Sequence, residues 1–256
     1  MSKLNILIQA IRILKNWPIY LADYFNIIRR PVVVYKARSG IMCAVRSGTN
    51  DRVIFNQVWL ERTHAPADFE IKNNDLVIDI GAHIGLFSIF AASRAKNGRV
   101  YAFEPAPDNF QMLEKNIGLN NLSNIVPVNQ AVAGKGGVRD FILYKKSAAA
   151  HSFVFSKTEE RDIIKVKTVS LDEIVKKNNI EKIDVLKMDC EGAEYEILFN
   201  ASPETLAMVK SISMEYHEYE NRKVSELKAF LEKNGFRIRI KFSGDSMLYA
   251  IRIAMP

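Results

Sequence analysis

The sequence predicts an α/β protein, a mostly parallel sheet with helices on both faces. Three observations predict it. Apolar strand-like runs alternate with amphipathic helix-like stretches from residue 76 onward, the pattern of a parallel sheet packed between helices. One of those strands, residues 76–80, runs into a glycine-bounded loop, residues 81–85, and then an apolar helix. The chain closes on two strands, residues 236–242 and 247–253, joined by Ser243-Gly244-Asp245. So short a link makes them an antiparallel hairpin, because parallel neighbours need a crossover of about a dozen residues or more.

The elements follow in order. Residues 1–30 read as helical; Leu4 to Leu14 is apolar but interrupted by Gln9 and Arg12, and Pro18 is expected to break or kink the helix. Residues 32–35 and 41–45 read as a small hairpin with Ser39-Gly40 in its turn. Residues 51–60 read as one helix with Val53, Ile54, Val58 and Leu60 on its apolar side. The strand at 76–80 is too apolar to have one face in water. After it come a helix at 86–95, a strand at 100–103 ending in Glu104-Pro105, a helix at 108–119 closed by Asn120-Asn121, and a strand at 125–128. Residues 131–168 read as short β segments and loops. Ser170-Leu171-Asp172-Glu173 has the form of a capping box and opens a helix to residue 177. Strands follow at 183–188 and 209–214, then a helix at 224–233 that Gly235 stops. The expected division is an N-terminal extension, residues 1–70, which caps the domain or lines its acceptor side, and a catalytic domain, residues 71–256.

Composition narrows the class. The chain has 256 residues, 48% hydrophobic and 25% charged, which excludes global disorder. The formal net charge of +7 permits an acidic partner, but no aromatic and basic residues interleave as in a nucleic-acid-binding module, so nucleic acid is not the expected partner. Cys43 and Cys190 lack disulfide-framework or metal-site spacing, which fits a reducing, cytoplasmic setting. No run reaches the ~20 apolar residues of a membrane span, and the N-terminal stretch lacks the small-residue cleavage site of a signal peptide. Its expected role is a packed cap, with peripheral membrane contact through residues 1–30 as the sharper alternative.

Ligands of open α/β sheets sit beyond the strand carboxyl ends. The first such end is Asp79-Ile80-Gly81-Ala82-His83-Ile84-Gly85. Gly81 lets the chain turn sharply and Gly85 lets the next helix lie close. The dinucleotide fingerprint is absent, because His83 stands where a second glycine would admit a pyrophosphate. S-adenosylmethionine (SAM) needs no such approach. Glu104, ending the next strand, stands where a carboxylate accepts both ribose hydroxyls, with Pro105 beside it. Asn129, Gln130 and Ala131, after the third strand, are placed to contact the adenine.

These stretches resemble the FkbM family of class I methyltransferases. Residues 77–91, VIDIGAHIGLFSIFA, are similar to its SAM loop, and residues 100–107, VYAFEPAP, to its ribose-binding strand end. Residues 183–198, IDVLKMDCEGAEYEIL, carry the D-x-E-G-x-E segment, its most diagnostic feature. Residues 45–55 resemble the segment that leads into the domain. The resemblance covers roughly residues 45–217. It implies a Rossmann-like seven-stranded methyltransferase sheet whose last strand is antiparallel, SAM as cofactor, and O-methylation of a sugar, glycan or small metabolite. The family more often has Asn where this chain has His83, and either side chain can hydrogen-bond.

Methyl transfer to a hydroxyl gains from positioning and from a general base. Asp189, Glu191, Glu215 and His217 end adjacent strands and converge. His217 is the leading base because an ordinary histidine titrates near neutrality. Asp189 is placed at the methionine end of SAM or at the acceptor, and Glu191 joins the catalytic set. Glu194 reads as a first-turn helix carboxylate, His151 as a secondary base candidate, and His64 as loop structure. The acidic cluster with a histidine is chemically able to hold Mg²⁺ or Mn²⁺, although a divalent metal is not expected. The competing classes are a nicotinamide-dependent oxidoreductase, opposed by the missing glycine and the terminal hairpin, and a non-catalytic binding module of the same fold, opposed by the intact Asp79, Gly81, Glu104 and Asp189.

Overall fold

The computed structural model describes all residues except 29, 68, 145–160, 220–221, 242–245 and 254–256. His151 and the turn at Ser243-Gly244-Asp245 therefore lie outside the described residues.

The N-terminal helical stretch is two helices, α1 (Lys3–Ile13) and α2 (Trp17–Tyr24). Pro18 lies in the first turn of α2, where its missing N–H is one the helix leaves unpaired anyway; it helps to start a helix instead of kinking one. The expected hairpin forms from β1 (Val32–Lys36) and β2 (Met42–Arg46). The expected helix at 51–60 divides into α3 (Asp51–Phe55) and a wider π-helical turn, Asn56–Leu60. That turn buries Trp59 and Asn56, and Asn56 accepts a hydrogen bond from Tyr20 at 2.8 Å.

The catalytic layer begins with β3 (Leu76–Ile80), α4 (Leu86–Arg94), β4 (Arg99–Phe103), α5 (Pro107–Asn120) and β5 (Ile125–Val128). A separate three-stranded sheet follows: β6 (Ala131–Val132), β7 (Gly137–Tyr144) and β8 (Arg161–Val169). Its β7–β8 pair is longer than the short segments expected there. The chain continues through α6 (Leu171–Lys177), β9 (Val185–Met188), α7 (Glu194–Asn200), α8 (Pro203–Met208), β10 (Ser211–Glu215), α9 (Val224–Lys233), β11 (Phe236–Lys241) and β12 (Met247–Arg252). Ser170 and Glu173 form the expected capping box at α6. The full extents of α7 and α8 were not legible in the pattern.

The main sheet has the order β11-β12-β10-β9-β3-β4-β5. The last strand, β12, is antiparallel to both neighbours, and the remaining pairs are parallel. This is the expected seven-stranded sheet. Side chains alternate between two cores. Val77, Val100, Ala102 and Val185 enter the layer shared with α4, α5 and the N-terminal extension. Ile78, Ile80, Tyr101, Phe103, Leu186 and Met188 enter the layer beneath α6, α7 and α9. The same alternation turns Asp79, Lys187, Ser213 and Glu215 towards the first layer.

Two glycines fix how the loops meet. Gly81 has φ +76°, and a Cβ there would lie 1.8 Å from the Asp189 carbonyl oxygen. Gly85 has φ +83°, and a Cβ would lie 2.4 Å from the Leu113 side chain. The loop after β3 thus crosses the turn after β9 at backbone contact, and α4 lies close against α5.

Candidate active site

A cavity of about 310 Å³ opens at the carboxyl ends of β3, β4, β9 and β10, a volume at the lower end of small-molecule sites. Its lining includes Gly81, Ala82 and His83 with Glu104 and Pro105, and the apolar Phe103, Val132 and Phe141. His64, Lys187, Asp189, Glu191 and Glu215 line it as well. The extension closes the wall with Val53, Ile54, Gln57 and Val58.

Glu104 is buried, and its two oxygens accept the backbone amides of Ala106 at 2.9 Å and His83 at 2.8 Å. Burial pushes its pKa up to about 7 against the pull of those amides. His83 occupies the left-handed region, φ +53°, which histidine and asparagine tolerate better than bulkier residues. Its ring lies 3.3 Å from Arg46, which also forks onto Asp51 at 2.9 Å and donates to Asn109 at 2.8 Å. The segment leading into the domain therefore clips the loop after β3 to α5.

Beneath that loop lies a buried ion pair that the sequence reading missed. Asp79 and Lys187 are opposite residues of β3 and β9, and the Lys187 ammonium lies 3.1 Å from Asp79 and donates to the Gly81 carbonyl at 2.8 Å. Asp79 also accepts from Ser88 at 2.5 Å. Burial works against the lysine charge, yet Asp79 and Asp189 outweigh it and hold the pKa above the ordinary lysine value. The expected cofactor contact by Asp79 is not what the geometry shows: its carboxylate is consumed below the loop and does not line the cavity. Gly85 and Gln130 also lie off the cavity wall, Gly85 because it packs on Leu113. Ala131 lines it, while Asn129 donates to the backbone carbonyls of Glu104 and Pro105.

The catalytic candidates do converge, with two changes. Donor atoms of Asp189, Glu191 and His217 lie within 4.8 Å of one another, and so do those of His64, Asp189 and Glu215. Glu194 organises the first group: its buried carboxylate accepts the Cys190 and Gly192 amides and meets His217 Nδ1 at 3.0 Å. Glu191, in the left-handed region at φ +52°, lies 3.4 Å from His217 Nε2. Burial pushes the Glu191 carboxyl up to about 7, opposed by His217. Burial also disfavours a charged His217, but Glu194, Glu191 and Asp189 outweigh it and hold its pKa up at about 10. These carboxylates favour the imidazolium, which has no lone pair to take a proton, so the setting of His217 works against the base role expected from an ordinary histidine pKa.

His64 is the opposite case. It is buried, its Nδ1 lies 3.3 Å from Ser213 Oγ, and its ring packs on Phe87. Burial, reinforced by Lys187, holds its pKa well below 6.5, so it is a neutral imidazole on the cavity wall. The distances would admit a cation, but Lys187, 4.0 Å from Asp189, and protonated His217 already bring positive charge to these carboxylates.

A raised pKa has a stability consequence. The proton on His217 stabilises the folded state fully below its unfolded pKa of about 6.5, and that contribution is lost as pH rises through about 10. The stability difference between wild type and His217→Gln, from urea unfolding, is therefore expected to shrink between pH 6.5 and 10; a constant difference would contradict the ion-paired imidazolium.

Comparisons with known proteins identify the family. The 31-O-demethyl-FK506 methyltransferase FkbM of Streptomyces tacrolimicus is 22% identical over 213 residues, covering 72% of this chain and 81% of that one. The hexuronic acid methyltransferase AglP of Haloferax volcanii is 28% identical over 148 residues, 58% of each chain. AMB antimetabolite synthetase AmbE of Pseudomonas aeruginosa is 22% identical over 73% of this chain, which spans only 11% of that protein. The crystal structure of an FkbM methyltransferase from Methylobacillus flagellatus shares the fold, with a TM-score of 0.53 at 14% identity over 96% of this chain and 58% of that one. The family model of the FkbM methyltransferase domain matches residues 79–238, more than half of the sequence, and the chain is a SAM-dependent methyltransferase of the FkbM family.

Proposed function

We propose that the protein methylates a hydroxyl oxygen of a sugar, a glycan or another small polyhydroxylated acceptor. The observation that carries this is one cavity lined both by a buried carboxylate at a strand end, Glu104, and by a neutral buried imidazole, His64, grouped with Asp189 and Glu215. Phe103, Val132 and Phe141 give a flat heterocycle apolar walls, and the size and donor set of the cavity fit SAM. When bound, SAM supplies an electrophilic methyl group on a sulfonium. His64 takes the acceptor hydroxyl proton at the ring nitrogen that Ser213 does not occupy. Asp189 and Glu215 stabilise the imidazolium that results. Asp189 and Glu191 also set negative charge against the sulfonium end. Two relatives are named for 31-O-demethyl-FK506 and for a hexuronic acid, which supports an oxygen acceptor. The carboxylates at the cavity argue against a phosphate-rich acceptor such as RNA.

The test is transfer of tritiated methyl from SAM to a panel of sugars, uronic acids and hydroxylated metabolites, with transfer RNA in parallel. Alkali-stable label on a sugar supports the ether product; label released by mild alkali marks a carboxyl ester, and label on RNA alone removes the proposal. The cofactor half is tested separately by calorimetry with S-adenosylhomocysteine. Glu104→Ala is expected to weaken binding more than about tenfold, or ~1.4 kcal/mol. Because ribose hydroxyls donate to the ionised carboxylate, wild-type affinity should fall as pH drops below about 7 and approach a tenfold loss per unit. Unchanged affinity in Glu104→Ala would remove the ribose assignment.

A further inference from the structure

The N-terminal extension carries a surface that methyl transfer does not use. Residues 1–40 contain seven Lys and Arg and one Asp, a net +6 of the chain's +7, whereas the other 216 residues balance 29 basic against 28 acidic side chains. The basic residues are spread along the sequence, but their excess is not. The same segment exposes apolar side chains. Of the eleven large hydrophobic residues exposed among the described ones, seven lie between Met1 and Ile27.

Helix α1 shows how the two properties combine. Ala10 is buried against the core, with Ile6, Leu7 and Ile13 packed beside it. Leu4, Ile8 and Ile11 follow at helical spacing and are 67%, 39% and 40% exposed. The helix is therefore anchored by one apolar face and presents a second one outward. A water-facing helix surface is normally polar, and an exposed apolar stripe beside basic residues marks an interfacial helix. Beyond α2, Phe25 and Ile27 are 60% and 69% exposed. A groove of about 520 Å³ between α2 and β1 is lined by Ile19, Ile28 and Val33 together with Arg30 and Lys36, a lining suited to an amphiphile with a negative head. No helix among the described residues is long and apolar enough to cross a membrane, so the surface is built for contact and not for insertion across a bilayer.

We propose that residues 1–40 dock the enzyme on an anionic lipid surface, with Leu4, Ile8 and Ile11 entering the headgroup boundary and the surrounding cations meeting the lipid charge. Charge complementarity selects this occupant. A second copy of the chain would bring the same +6 against itself, and a nucleic acid would use the cations but leave the apolar stripe in water.

The test is flotation of the full chain with vesicles of phosphatidylcholine alone and of phosphatidylcholine mixed with phosphatidylglycerol. Binding is expected to be more than about tenfold stronger to the mixed vesicles and to weaken steeply as salt is raised towards ~0.5 M. The double variant Leu4→Asp, Ile8→Asp and the charge variant Lys3→Glu, Arg12→Glu, Lys15→Glu should each lose this binding while keeping wild-type affinity for S-adenosylhomocysteine. Failure to bind mixed vesicles, or equal binding by wild type and both variants, overturns the proposal. So does a concentration-dependent dimer that Leu4→Asp, Ile8→Asp abolishes in a protein that ignores vesicles, which assigns the stripe to a second copy. RNA binding without vesicle binding overturns it likewise.

Discussion

Lys187→Met is expected to cost about 3–5 kcal/mol of folding stability, the usual loss when one partner of a buried ion pair is removed. The variant leaves the Asp79 carboxylate fully buried with Ser88 as its remaining donor, and it withdraws the ammonium that holds the Gly81 carbonyl. Restoring neutrality should restore much of the loss, so the double variant Asp79→Asn, Lys187→Met is expected to be more stable than Lys187→Met alone. Urea unfolding of the three proteins measures this. If the single variant stays within about 1 kcal/mol of wild type, the pair is not what supports the loop.

His64→Gln is expected to lower turnover by about 10²-fold, at the lower bound for loss of a general base, while affinity for S-adenosylhomocysteine stays within about twofold of wild type. A base that titrates well below 6.5 is weak but always available, and the carboxylates of Asp189 and Glu215 favour its protonated form during the reaction. The defect should therefore shrink as the acceptor hydroxyl becomes more acidic, which a purely structural role for His64 would not produce. His217→Gln should act mainly on stability, since it removes the imidazole from buried Glu194 and leaves that carboxylate only the Cys190 and Gly192 amides. Full turnover in His64→Gln, with a collapse in His217→Gln, would return the base role to His217.

The strand ends were legible because their residues act where they stand. Gly81, Glu104 and Asp189 follow apolar runs that can only be buried strands, and all three meet at the cavity. Other features were hidden by distance in sequence. His64 acquires its setting from Ser213, 149 residues away, and nothing in His64-Ala65-Pro66 signals that. Lys187 looks like a polar interruption in Val-Leu-Lys-Met until β9 is laid beside β3 and its partner proves to be Asp79, 108 residues earlier. The upward pull on the His217 pKa comes from three carboxylates that converge only in space, which a reference pKa does not contain. The π-helical turn at Asn56–Leu60 left no mark on the hydrophobic periodicity, which suits an ordinary helix equally well.

Where Gly81 meets the Asp189 carbonyl, the loop proposed to grip the methyl donor and the turn proposed to face the recipient share one backbone crossing. On that proposal a shift of either one strains the other, so the sheet sets the span from donor to recipient. Changes in recipient preference are then expected from outside that crossing, from the walls that Val53, Ile54 and Gln57 supply. Exchanging those walls should redirect the enzyme without retuning the distance over which it acts.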